Sequence, residues 1–153
     1  MSGYLCDTNV WLSLILSGHP HHRACRQWWD TIDSSCAVSM PRSVHQSVLR
    51  LLTTRALSAR LGLAALSNDA AWDVLEAVLS DDRISIETDE PVGLDAAWRR
   101  YAARSSSAPK LWMDAYLAAF ALCRERTLVT LDRACSQFDG VDVLVVGGAG
   151  TDS

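Results

Sequence analysis

Tyr4-Leu5-Cys6-Asp7-Thr8-Asn9-Val10-Trp11-Leu12 is the stretch from which the rest of the chain is read. A short apolar run stops at a carboxylate and two small polar residues, and Trp11, Leu14 and Ile15 then recur at helical spacing. The pattern predicts a strand, an acidic turn and a helix. Ligands of open α/β sheets bind outside the carboxyl ends of the strands, so an Asp at that point is a candidate for chemistry.

The same alternation continues outward from this unit. Gly18-His19-Pro20 interrupts the first helix, and Cys25, Trp28, Trp29 and Ile32 give the next one a single apolar face. Cys36 to Ser39 reads as a second strand, closed by Met40-Pro41, and the crossover between the two strands implies parallel pairing. A helix follows with Val44, Val48, Leu51 and Leu52 on one side. Residues 53 to 68 read as a loop with a short helical piece. The next helix is capped by Ser67 or Asn68 and is expected to bury Trp72, Leu75 and Leu79. Ile84-Ser85-Ile86 is a third strand, and Leu94, Trp98, Tyr101 and Ala102 mark another helix. The connector from Arg104 to Pro109 leads into a nearly uncharged helix from Leu111 to Cys123. Leu128 to Leu131 and Val141 to Val146 complete the strands. Strands and helices alternate throughout, so the fold class is α/β with a mainly parallel sheet covered on both faces. No repeat or second domain interrupts it. Residues 1 to 147 read as a single domain, and 148 to 153 as a flexible tail.

Composition limits the choice of function. The 153 residues suffice for one core, with 49% hydrophobic and 21% charged residues, as in ordinary globular chains. At a net charge of −4, a nucleic-acid substrate requires a local basic patch, divalent cations or a basic partner, because no bulk positive field exists. All basic residues except Lys110 are arginines, which suits planar phosphate contacts. Five scattered cysteines, none in a C-x-x-C pair, fit small buried hydrophobes in a reducing compartment. No basic leader or membrane-length apolar run is present, so a cytoplasmic protein is expected.

Three carboxylates stand out. Asp7 and Asp132 each follow a strand and fall on the same rim of a parallel sheet. Asp114 interrupts an apolar helix, among Leu111, Leu117, Ala118 and Ala121, where a lone ionised carboxylate costs several kcal/mol unless compensated. A shared cation compensates all three, and an all-carboxylate set favours Mg2+, with Mn2+ as an alternative. Such a centre suits hydrolysis of a phosphate ester. Simpler readings stand beside this one. Asp7 and Asp132 are also natural N-caps, and Asp114 has Lys110 and Arg124 within reach on its own helix.

Cys6-Asp7-Thr8-Asn9-Val10-Trp11-Leu12, Met113-Asp114-Ala115-Tyr116-Leu117-Ala118-Ala119 and Leu128-Val129-Thr130-Leu131-Asp132 together resemble the three signature segments of PIN-domain ribonucleases, most closely the VapC toxins of bacterial toxin–antitoxin pairs. The resemblance runs from Tyr4 to Val146. It implies a three-layer α/β/α sandwich with a five-stranded parallel sheet, and Asp7, Asp114 and Asp132 as the acids of a Mg2+ site. It further implies an RNA substrate, tRNA or ribosomal RNA, with a cognate antitoxin as partner and a homodimer as assembly. One position departs from the pattern. Family members usually carry a glutamate in the helix after the second strand, and near Ser47 this chain has none. A catalytically silent scaffold that binds protein or RNA is therefore the second reading. A haloacid-dehalogenase-like phosphatase is the third, although that chemistry wants an acid at Asn9.

Among the remaining features, His19, His21 and His22 read as a solvated helix start. Thr8, Asn9 and Thr130 flank the acids and are available to metal-bound water or phosphate. Arg42, Arg50, Arg55 and Arg133 are the arginines expected nearest the rim.

Overall fold

The computed structural model describes residues 3 to 147, so the expected tail at 148 to 153 lies outside the described residues. Five strands form one sheet: β1 (Gly3–Cys6), β2 (Val38–Pro41), β3 (Ile84–Glu87), β4 (Arg126–Thr130) and β5 (Val143–Val145). Their order is β3-β2-β1-β4-β5, and all four pairings are parallel. Among the described residues seven α-helices accompany them: α1 (Thr8–Ile15), α2 (His22–Asp30), α3 (Arg42–Leu52), α4 (Arg55–Arg60), α5 (Asn68–Leu79), α6 (Leu94–Ala102) and α7 (Leu111–Cys123). Helix α1 packs on α2 and α3, and α3 on α5. Helix α6 packs on α7, which lies along β4 and β1. Helices thus cover both faces, as the α/β sandwich expectation requires.

The chain builds outward from β1 through β2 to β3, then returns across the sheet to β4 and β5. Right-handed crossovers running in opposite directions leave their helices on opposite faces, so a crevice opens between β1 and β4 at their carboxyl ends. Cys6 pairs with Val129 in this register. The residues that follow, Asp7 on one strand and Thr130 to Asp132 on the other, therefore emerge side by side into the crevice.

Local sequence explains the close fit around this point. A Cβ on Gly3 would collide with the Ala37 carbonyl, so β1 can lie against the start of β2 only because that residue has no side chain. Trp11 is fully buried, with its ring edge-on to Trp29 at 5.7 Å. On α7, Ala115, Ala118, Ala119 and Ala121 are all buried, and these small side chains let the helix approach the sheet closely.

Some expectations shift. The second strand begins at Val38, not Cys36, and the last strand is only three residues long. The piece foreseen between 53 and 68 is α4, packed on the core through Leu57, and Leu66 in the loop that follows packs there too. Trp72 is 47% exposed, with Ala71 and Leu75 facing inward on α5 in its place. Residues 71 and 75 satisfy helical spacing as well as 72 and 75 do. The close packing of α3 on α5 admits the small side chain, while the indole rests against His45 at 5.5 Å. The three histidines do more than open a helix: His19 Nδ1 is 3.1 Å from Ser13 Oγ, and His22 Nδ1 is 2.7 Å from the Ser13 carbonyl.

Candidate metal centre

Asp7 leaves β1 in an extended conformation and caps α1, its Oδ1 accepting the Thr8 N–H at 2.6 Å. Its Oδ2 accepts the Thr130 hydroxyl proton at 3.0 Å. Thr130 is fully buried at the end of β4, and its Oγ1 also accepts the Asp132 N–H at 3.1 Å. One hydroxyl thereby ties the loops after β1 and β4 together. Asp132 is exposed and caps the 3-10 turn Arg133–Gln137, its Oδ1 accepting from the Ala134 N–H at 2.9 Å. The capping reading of Asp7 and Asp132 is thus correct as far as it goes, and each carboxylate retains lone pairs beyond its cap.

Asp114 is held differently. It lies in the first turn of α7, half-buried, and among the described residues its carboxylate receives no hydrogen bond. The ion-pair alternative fails for Arg124, which instead approaches Glu87 at 3.5 Å. Burial first, then the charges of Asp7 and Asp132, push the Asp114 carboxyl from 3.8 up to about 6. Burial also raises Asp7, with Asp132 adding to the effect against the opposing hydrogen bonds from Thr130 and Thr8. These are the marks of carboxylates gathered without a counter-charge.

The sequence reading missed a fourth group. Cys135 Sγ lies 3.9 Å from Thr130 Oγ1. Ligand atoms of Asp7, Asp114 and Cys135 all lie within 4.8 Å of one another. Burial, followed by the nearby Asp114 charge, pushes the thiol up to about 12, so it is protonated at neutral pH. Only its position three residues after Asp132 hinted at this, because the tight turn that swings it inward is not visible as periodicity. Asp132 lies outside that closest group, yet its charge is felt by both other acids.

Asp114 and Asp132 face a cleft of about 590 Å3 bordered by Arg104, Lys110 and Gln137. Two cations, Arg104 and Lys110, thus border the cleft beside the acids, carried by the connector ahead of α7. Of the arginines expected at the rim, Arg42 lines a separate hollow with Glu87 and Glu90, and Arg50 lines one with Trp72. Ser47 on α3 is partly buried, and no acid of α3 joins the closest group.

A hard divalent cation fits what is present: Asp114 is a half-buried carboxylate without a hydrogen bond or ion pair among the described residues, beside two other acids, and charge neutralisation relieves both the burial and the repulsion.

Comparison with known proteins agrees with the fold. Residues 4 to 141 match the model of the PIN domain family. Ribonuclease VapC41 of Mycobacterium tuberculosis is 52% identical over 139 residues, 91% of this chain and 95% of that protein. Ribonuclease VapC31 of the same organism is 30% identical over 90% of this chain and 94% of its own. Among solved structures, VapC20 of Mycobacterium tuberculosis, a toxin that cleaves the sarcin-ricin loop, superposes with a TM-score of 0.64 at 17% identity, over 92% of this chain and 99% of that one. VapBC2 from Rickettsia felis, bound to a DNA fragment from its promoter, gives 0.66 at 13% identity, over 94% and 98%.

Proposed function

This chain belongs to the PIN-domain family, as a relative of the VapC ribonucleases, and on that premise we propose that Asp7, Asp114 and Asp132 hold a Mg2+ ion with which it hydrolyses RNA phosphodiester bonds as the toxin of a toxin–antitoxin pair. What supports the reading is that ligand atoms of Asp7 and Asp114 lie within 4.8 Å of each other, that both feel the charge of Asp132, and that among the described residues the Asp114 carboxylate receives no hydrogen bond. Mn2+ suits the same oxygen set.

When bound, such a cation would supply an acidified water and positive charge to offset that developing on the phosphate. The chain's own residues do the remaining work. Thr130 fixes Asp7 relative to Asp132 through the two bonds of its hydroxyl. Helix α7, buried along its alanine side, holds Asp114 against movement. Arg104 and Lys110 border the cleft and offer cations to the phosphates on either side of the cut, which a chain of net charge −4 needs locally. A ribosomal or transfer RNA is the substrate class this reading favours, with the cytoplasm as the place of action. Among the described residues no helix is long and apolar enough to cross a membrane.

The solved VapBC complexes that share this fold support a cognate antitoxin as partner, and we extend the same reading to a homodimer. Cleavage of purified tRNA and rRNA in Mg2+, compared with EDTA and with Asp7→Asn, Asp114→Asn and Asp132→Asn, tests the activity; cutting that survives all three substitutions would reject it. The silent-scaffold reading draws on the absence of an α3 acid near Ser47. It predicts RNA or protein binding with no cleavage in the same experiment.

A further inference from the structure

The carboxylate centre has a member that Mg2+ chemistry leaves unused. Cys135 is 2% exposed, yet its Sγ is turned toward carboxylates and not toward the apolar core alone. The turn that places it is anchored at both ends of its first step: Asp132 Oδ1 accepts the Ala134 N–H at 2.9 Å, and the Cys135 N–H donates to the Asp132 carbonyl at 3.2 Å. Cys36 and Cys123 are half-buried and belong to no such group, and among the described residues Asp7, Asp114 and Cys135 form the one cluster of three potential ligand side chains.

Ligand softness decides what such a mixed set prefers. Oxygen-only sets suit Mg2+ and Mn2+, whereas a thiolate selects borderline and soft ions such as Zn2+ and Co2+. Resting on the preceding reading of the acids as a cation site, we propose that this centre takes cations in two modes: a hard ion on the carboxylates alone, and a thiophilic divalent ion held by Cys135 Sγ together with Asp7 and Asp114. In the second mode the metal–sulfur bond replaces the S–H bond and the proton passes to solvent, so binding releases one proton per ion at the thiol. The two modes share Asp7 and Asp114 and exclude each other. A thiophilic ion therefore displaces Mg2+ and takes the site out of phosphodiester chemistry.

The test is spectroscopic. Metal-free full-length protein is titrated with Co2+, and a near-ultraviolet sulfur-to-cobalt charge-transfer band is expected. The band should persist in Cys36→Ser and Cys123→Ser and vanish in Cys135→Ser and Cys135→Ala. The ratio of Zn2+ to Mg2+ affinity should fall at least about tenfold in the Cys135 variants. X-ray absorption at the zinc edge of the unmutated protein should find one sulfur in the first shell, whether or not those variants fold. An all-oxygen zinc shell, or a cobalt band indifferent to Cys135, overturns the proposal. If Asp7→Asn and Asp114→Asn abolish Mg2+ binding while the zinc shell is all oxygen, only the thiolate mode falls. If those two changes leave Mg2+ binding intact, the carboxylate site falls with it.

Discussion

Replacing Asp114 by Asn should make the metal-free protein more stable while destroying its Mg2+ response. The Asp114 carboxyl is raised from 3.8 to about 6 by burial and by Asp7 and Asp132. A shift of that size corresponds to at most ~3 kcal/mol. The side chain is half open to water, and solvent screening reduces the cost to about 1–2 kcal/mol. The sign follows from proton linkage. The folded state holds this proton more tightly than the unfolded chain, so the associated stability is full below 3.8 and is lost as pH rises through about 6. At pH 7.5 the unmutated protein carries the whole penalty, and Asn, neutral and nearly isosteric, carries none. For a chain of this length, thermal unfolding in EDTA at pH 7.5 should therefore show Asp114→Asn melting about 2–8 °C higher. The gap should narrow as pH falls through 6 and close only below 3.8, where the carboxyl is protonated in both the folded and the unfolded chain. Added Mg2+ should raise the melting temperature of the unmutated protein by mass action and leave the variant nearly unmoved. A variant no more stable than the original in EDTA at pH 7.5 would show that Asp114 is compensated by something other than a cation, and the reasoning would fail.

Three further outcomes follow from the same geometry. Thr130→Val removes the hydroxyl that serves Asp7 and the Asp132 N–H, and should cost about 1–3 kcal/mol in urea unfolding while lowering RNA cleavage; unaltered stability would mean that the loops after β1 and β4 hold without it. Lys110→Ala and Arg104→Ala should each weaken RNA binding and reduce the slope of log affinity against log salt by about 1, read by titration across salt concentrations, with an unchanged slope placing the RNA elsewhere. Trp11→Ala should cost about 3–5 kcal/mol by denaturant unfolding and Trp72→Ala only about 0.5, because the first ring is fully buried and the second is 47% exposed; equal losses would contradict the assignment of the inner faces of α1 and α5.

Much of the candidate site was legible because its acids violate local rules. Asp7 ends an apolar run where a strand must stop, and Asp114 interrupts a helix that is otherwise uncharged, so each is conspicuous without any tertiary information. The parallel sheet was equally legible, since crossover units leave few alternatives for strand direction. What escaped depends on chain reversals that carry no periodicity. Cys135 reaches the acids only through a 3-10 turn, and Arg104 reaches the cleft only because its connector folds along it, whereas Lys110 was already expected beside Asp114. Trp72 escaped for another reason: two helical faces one residue apart satisfy the same spacing, and only the closeness of α3 to α5 chooses between them. The departure at Ser47 was legible as a missing acid, and its structural counterpart is a centre whose closest members come from β1, α7 and the turn after β4.

Anomalous diffraction from crystals soaked in Mn2+, standing in for Mg2+, tests the central claim most directly. The account predicts one strong peak in the crevice between β1 and β4, within ligand distance of the Asp7 and Asp114 carboxylates and with Asp132 reaching it directly or through a water. A peak elsewhere on the chain, or Asp7 and Asp114 left without an ion at saturating Mn2+, would contradict it.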